Sequence, residues 1–295
     1  MLSKSPSEDY PCSDQYLNGA DLISKLFADN NNEFFEWPTN QFYETRPRIC
    51  IVHADTRSLN TIYDANNKNL DPQMLSFDSF NSYYTQFYAL IHGYDFKRIK
   101  VPTISNRHQT WTRLKGIYDT LHKYDIVVHF DGDAFVRNLS ISLESLMEYW
   151  NFTENSHFLQ AVAIGNKNHS NCGFWIIRNS RLSRQKLLDL IECPEKIKGC
   201  ERWRNHFAHE QTAWNKYFRH TMKQGEEFIV VPQDEANGWP GRGGRFVVHG
   251  WGKKYQIKKW MTAEIVREMM ILMHKFMNNH YVPCSTWEKS KTSCD

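Results

Sequence analysis

Short runs of β-branched and aromatic residues alternate along this chain with longer segments whose apolar positions recur every three or four residues. Arg48-Ile49-Cys50-Ile51-Val52-His53 reads as a buried strand, with Ala54-Asp55-Thr56-Arg57 as the loop at its carboxyl end. From about Ser76 to His92 the residues Phe80, Tyr83, Tyr84, Phe87, Tyr88 and Ile91 keep helical spacing, and Gly93 is a natural stop. Tyr94 to Ile99 alternates as a half-buried strand would, and Trp111, Leu114, Ile117, Tyr118 and Leu121 mark one face of a helix over Gln109–Lys123. Tyr124 to Phe130 then carries Ile126, Val127, Val128 and Phe130, the pattern of a strand covered on both faces. Strand, helix, strand, helix, strand predicts a parallel, doubly wound sheet with right-handed crossovers.

Beyond Asp133 the pattern becomes mixed. It predicts a helix over Leu143–Tyr149, strands over Phe158–Ile164 and Gly173–Ile177, and a polar loop, Gly165–Asn171, between them. Ser180 caps a helix through Glu192 with Leu182, Leu187, Leu188 and Ile191 inward, and a short helix follows over His209–Phe218. Phe228–Val231 and Phe246–His249 are late strands flanking a loop with Gly238, Pro240, Gly241, Gly243 and Gly244. An amphipathic helix, Thr262–Asn279, carries Ile265, Met269, Leu272, Met273 and Phe276 on a face read as packing. The expected organisation is an N-terminal extension over 1–47 with a helix near Asp21–Ala28, one domain over 48–258, and a C-terminal helix and tail over 259–295.

At 295 residues the chain can bury a large core, and a formal charge of +3 with interspersed signs gives no nucleic-acid footprint. No stretch is long and apolar enough to span a bilayer, and Met1–Asp14 lacks the apolar core of a signal peptide, so a cytoplasmic protein is expected. The seven cysteines are scattered, with no Cys-x-x-Cys pair, which argues against a disulfide framework and a zinc site. Asn138, Asn151 and Asn168 head glycosylation-type triplets, a pattern common by chance.

The chemistry-bearing residues gather at strand ends. Asp131-Gly132-Asp133 follows the third strand, and both carboxylates fall on one side of the chain. Two acids held so close repel unless a cation or proton sits between them, although Asp-Gly-Asp is equally ordinary turn chemistry. The other groups are His53–Arg57, Asn171-Cys172-Gly173 with Glu210-Gln211, and His249-Gly250-Trp251-Gly252-Lys253.

Taken in order, these groups resemble the nucleotide-diphospho-sugar glycosyltransferases of the GT-A fold, and most nearly glycosyltransferase family 34. The resemblance covers roughly Arg48 to Lys253. It is carried by His92 to Phe96, Trp111 with Lys115, Asp131–Asp133 followed by Ala134 and Asn138, Asn171 and Gly173 leading into Ile177–Ser180, Glu210-Gln211 and the late His249. His129-Phe130 ahead of Asp131 departs from the family pattern, as do the extensions at both ends.

The resemblance implies a single GT-A domain, a Rossmann-like, mostly parallel central sheet with helices on both faces. It implies transfer of xylose, galactose or glucose from a UDP-sugar to a hydroxyl of an oligosaccharide or glycoconjugate. The N-terminal extension leaves two expectations open, that it covers a sheet edge or that it contacts a second copy in a homodimer. Asp131, Asp133 and His249 would hold Mn2+ or Mg2+, with Asp133 a direct ligand and Asp131 shared between metal and ribose. His53, Ala54, Asp55 and Arg57 would hold the uridine, and Lys115, Gly132 and Lys253, with Gly252 keeping access open, the diphosphate. Asn171 and Gly173 would shape the sugar pocket, and Glu210 and Gln211 would lie at the reacting carbon with Asp131. Arg113 is an alternative to Lys115, a solvated helix face competes with both, and Trp239 and Trp251 are either acceptor platforms or core. The rival readings are a non-catalytic nucleotide- or glycan-binding protein of the same fold, a sugar-1-phosphate nucleotidyltransferase and, more distantly, a two-metal phosphoesterase.

Overall fold

Burial with period two sets the frame. In a computed structural model, strand β1 (Ile49–Asp55) turns Ile49 and Ile51 to one side of a sheet and Cys50, Val52 and Ala54 to the other. β3 (Ile126–Phe130) is buried along its whole length and divides its side chains the same way, as a strand covered on both faces must. The structure describes residues 46–59, 75–238, 243–251 and 254–280, all within one unit of the chain, Asn40–Asp295. The expected helix at Asp21–Ala28, together with Trp239, Pro240, Gly241, Gly252 and Lys253, lies outside the described residues.

Six strands form the main sheet. They are β1, β2 (Asp95–Lys100), β3, β5 (Phe158–Ala163), β6 (Asn166–Arg178) and β7 (Phe228–Val231), in the spatial order β2-β1-β3-β6-β5-β7. β1 pairs in parallel with β2 and β3, β5 pairs in parallel with β7, and β6 runs against both of its neighbours. A two-stranded ribbon joins β4 (Ala134–Val136) to β8 (Val247–His249). This is the mostly parallel sheet with helices on both faces that the sequence predicts. One core packs α1 (Phe77–His92) and the buried part of α6 (Lys254–His280) against the sheet, and the other packs α2 (Arg113–Leu121) and α4 (Arg181–Lys196).

Local chemistry explains the boundaries. Ser76 caps α1 through Ser79 N, and Gly93 ends it at φ 69°, in the left-handed region. Ser142 and Ser180 cap α3 (Leu143–Tyr149) and α4 in the same way. Several expectations need correction. Ala54 and Asp55, expected in the loop, are strand residues, because β1 runs on to Asp55 alongside β2. The supposed polar loop Gly165–Asn171 is mostly strand: β6 extends beyond the covered part of the sheet, so polar residues there face water. The helix expected at His209–Phe218 is α5 (His209–Ala213) followed by a π-helical turn, Trp214–Phe218. The last helix begins at Lys254, ahead of the expected Thr262. Ile257 and Met261 pack it down, whereas Met269 and Met273 of the face read as packing are exposed, with Met270 and Met277 beside them. No described helix is long and apolar enough to cross a membrane.

The scattered cysteines also hid a pairing. Cys193, in the last turn of α4, is disulfide-bonded to Cys200, where the chain turns back towards the site. Disulfides persist in oxidising compartments, for which the cytoplasmic expectation made no provision.

His53, His92 and His129 carry buried imidazoles. Burial, reinforced by His129, lowers His53 to about 3, and burial lowers His92 to about 4 and depresses His129. Folded histidines with depressed values stay neutral while the unfolded chain takes up protons below about pH 6.5. Stability therefore rises with pH through this window and falls as pH drops from about 6.5 towards 4. The expected slope is up to about 1.4 kcal/mol per pH unit for each histidine. Urea unfolding at pH 7, 6 and 5 measures it; a flat profile would show that these rings are not held neutral.

Candidate active site

Because β1, β2 and β3 are parallel, Asp55–Arg57, the segment after Lys100 and Asp131–Asp133 all emerge at one edge of the sheet. The remaining groups reach that edge by pairing. In β3–β6, Phe130 faces Phe174, and Asp131 N–H donates to Gly173 O at 2.8 Å, which sets Asn171–Gly173 beside the acidic motif. In β4–β8, Ala134 faces His249, and Gly250 N–H donates to Asp133 O at 2.6 Å, which brings in the late histidine.

Asp131, Asp133 and His249 thereby form a candidate cation site, with one donor atom from each within 4.8 Å of those of the other two. His249 Nε2 lies 3.2 Å from Asp133 Oδ1, and its Nδ1 lies 3.1 Å from Asn237 Oδ1. An Nδ1–H donated to Asn237 fixes the tautomer that presents the Nε2 lone pair to the carboxylates, the usual arrangement for a ligating imidazole. Two carboxylates and one imidazole suit a hard or borderline divalent ion, so the residues present fit the cation that the resemblance implies. Asn237 was missed in the sequence; nothing marks one asparagine at the head of a Gly-rich loop.

Gly173 is where this site needs a glycine. A Cβ at Gly173 would sit 2.3 Å from His249 Cε1, below any tolerable contact. Gly173→Ala is expected to push the imidazole off its position and weaken Mn2+ affinity by at least about tenfold, since outer elements that orient a ligand carry effects of this size. Isothermal titration with Mn2+ checks it; unchanged affinity would mean that His249 is not a ligand.

Arg113 is the cation that organises the acids. Its side chain, only 9% exposed, pairs through Nη1 with Asp131 Oδ1 and through Nη2 with Glu210 Oε1 at 2.5 Å. The buried guanidinium and its two carboxylates compensate one another, and Arg113 is held cationic despite its burial. Burial alone would raise the Asp131 carboxyl, but Arg113 and His129 outweigh it and hold the group far below the usual carboxylate range. The His129 ring nitrogens lie 3.0 Å from Val52 O and 3.1 Å from Asp131 Oδ1, so this departure from the family pattern serves to fix the carboxylate in place. Both contacts to Asp131 fall on Oδ1, which leaves Oδ2 for a ligand.

The structure does not bring Lys115 to this centre. Its ammonium pairs with Asp119 at 2.8 Å on the exposed face of α2, one turn along the helix. His53 is wholly buried, with Nδ1 3.2 Å from Ser82 Oγ and its ring edge-on to Phe96, and the Ala54 side chain is buried as well. Asp55 and Arg57 do reach the acidic motif. Arg57 bridges Asp55 at 2.6 Å and Asp78 at 3.2 Å, Arg98 closes the network onto Asp78 at 3.5 Å, and a Cβ at Gly132 would meet Arg57 Nη2 at 2.9 Å. Burial would raise the Asp55 carboxyl, but the Arg57 hydrogen bonds outweigh it and keep the value low.

On the opposite side, Gln211 Oε1 accepts from Asn171 Nδ2 at 3.1 Å and from Cys172 N at 3.0 Å, and Asn171 Oδ1 accepts from Gly173 N at 2.7 Å. Glu210 is buried, and its Oε2 has no hydrogen-bond partner among the described residues. Trp251 is half-exposed and stacks on the His249 ring at 3.9 Å.

The sheet order, the single reversed strand and the acidic motif at the sheet's carboxyl edge define an α/β fold of glycosyltransferase type. A crystal structure of a glycosyltransferase involved in the glycosylation of the major capsid of PBCV-1 superposes with a TM-score of 0.53 at 14% identity, covering 72% of this chain and 99% of that one. The glycosyltransferase GlyE of Streptococcus pneumoniae TIGR4 aligns at a TM-score of 0.43 and 17% identity, over 81% of this chain and 65% of that one. A putative glucose-1-phosphate thymidylyltransferase from Bacillus anthracis aligns more loosely, at a TM-score of 0.32 and 11% identity, over 65% of this chain and 87% of that one. No protein-family model matches the sequence, and neither does any curated protein.

Proposed function

We propose that this protein is a metal-dependent glycosyltransferase of the family 34 kind, moving xylose, galactose or glucose from a UDP-sugar to a glycan hydroxyl. The observation that carries the reading is the Asp131–Asp133–His249 donor set at the carboxyl edge of a sheet with a glycosyltransferase fold. Asp133, His249 and Oδ2 of Asp131 would hold the cation, and the imidazole among the donors favours manganese over magnesium. Bound there, a divalent ion supplies charge stabilisation to the departing diphosphate.

The chain's own residues do the rest. Asn237 keeps the His249 tautomer fixed, and Arg113 and His129 keep Asp131 ionised and aimed. Asp55, braced by Arg57, would accept a ribose hydroxyl, and Lys253 would supply a cation for the phosphates. The unpartnered Glu210 Oε2 is the atom suited to accept a hydroxyl proton or hydrogen bond from the transferred sugar. Asn171 and Gly173 wall the sugar pocket, with Gln211 holding Asn171 in place.

The test is UDP release from UDP-xylose, UDP-galactose and UDP-glucose, each with Mn2+, Mg2+ or EDTA. Release from at least one donor, abolished by EDTA and restored best by Mn2+, is expected. Release that ignores EDTA, or none from any donor, overturns the reading. Pyrophosphate formation from UTP and a sugar 1-phosphate would assign the chain to the nucleotidyltransferases instead.

A further inference from the structure

Phe207 stands out on the surface. Its ring is 86% exposed, more than any other large hydrophobic residue described, whereas Trp203 before it and Glu210 after it are buried. Single exposed apolar residues are common and by themselves mean little. The setting of this one is different, because the segment that displays it is tied to the loop that follows β2.

Two loops are stitched together here. His108 N–H donates to Arg204 O at 2.8 Å, Asn205 Nδ2 donates to Asn106 O at 3.2 Å, and the His108 and His209 rings stack at 3.6 Å. Within the second loop, His209 N–H donates to His206 O at 2.9 Å and Thr212 Oγ1 donates to Phe207 O at 3.3 Å. Trp111 Nε1 donates to Trp203 O at 3.1 Å, which fixes the loop's other end against the start of α2. The phenyl ring is therefore held out on a braced scaffold.

That scaffold has a definite address. The partner loop follows β2 and leads through Trp111 into Arg113, so it leaves the sheet at the same edge as Asp131 and Asp133. Glu210, three residues past Phe207, shares the Arg113 guanidinium with Asp131. A flat apolar face on a segment that also carries His206, His209 and, three residues on, the buried Glu210 suits a sugar ring. Such a ring offers axial C–H groups to an aromatic face and hydroxyls to its polar border.

We propose that Phe207 is a stacking platform for the sugar ring of the acceptor, at the Glu210 side of the site. The proposal rests on the glycosyltransferase reading given above. It makes Phe207 a determinant of acceptor binding with no part in holding the donor.

The experiment measures UDP release with Mn2+ and the preferred UDP-sugar, in the presence of octyl β-glucoside, octyl β-galactoside, octyl β-xyloside or methyl α-mannoside. At least one glycoside is expected to accelerate the wild-type protein. In Phe207→Ala its KM should rise about tenfold, the size of one lost ring contact, while Phe207→Trp stays within about threefold. The KM for the UDP-sugar should change less than about twofold in both variants. An unchanged acceptor KM in Phe207→Ala overturns the proposal, and so does wild-type UDP release that no glycoside accelerates. Wild-type protein that releases no UDP from any donor would instead overturn the glycosyltransferase reading on which the proposal stands.

Discussion

Asp133→Ala is expected to lower turnover by at least about a thousandfold, equivalent to about 4 kcal/mol of lost transition-state stabilisation, with an almost unchanged melting temperature. Asp133 is the cleaner of the two acids to remove. Its side chain is 27% exposed, and its ion-pair partner among the described residues is His249. Asp131, by contrast, neutralises the buried Arg113, so Asp131→Ala should cost stability as well as activity and would confuse the two. Steady-state UDP release alongside a thermal melt makes the comparison. Turnover within tenfold of wild type in a folded Asp133→Ala protein would remove this carboxylate from the candidate metal site.

Arg113→Met is expected to destabilise the fold by about 3–5 kcal/mol, because it leaves Glu210, whose side chain is 3% exposed, without its cation. Adding Glu210→Gln to Arg113→Met should recover part of the loss, since the uncharged amide does not carry the burial cost of a lone ion. A double variant no better than the single would show that the two groups are not coupled. Wild-type Asp131 brings a pH dependence of its own: its depressed carboxyl stabilises above about pH 4 and loses that contribution as pH falls through its folded value.

How much of this was legible in the sequence depended on which physical signal each residue leaves. Buried strands announce themselves, and β1, β3 and β7 lie close to where their apolar runs put them. β6 did not, because its first half passes beyond the covered sheet and carries the polar residues that exposed strand and loop share. Asp131, Asp133 and His249 were readable as a set only through their order; that they converge is a fact of strand pairing, which periodicity does not encode. Arg113 and Lys115 show the limit most clearly. Two cations on one helix look alike in sequence, and only the rotation of α2 against the sheet sends one into the acids and the other into water. His53 misled for a related reason: a polar residue ending an apolar run reads as a strand end, whereas here the strand continues past it. The Cys193–Cys200 bond left no spacing motif, because the sulfurs meet only where the chain doubles back after α4.

The β4–β8 ribbon has a consequence for how the protein matures. Its two strands are far apart in the chain, and closing so long a loop has an entropic cost and is slow compared with local helix formation. His249 joins the two aspartates only through that pairing, so the candidate cation site is incomplete until the ribbon has closed. A chain cut short before Val247 can still contain both acids yet cannot assemble the triad. A cation that bound only the completed candidate site would add its binding energy to that closure.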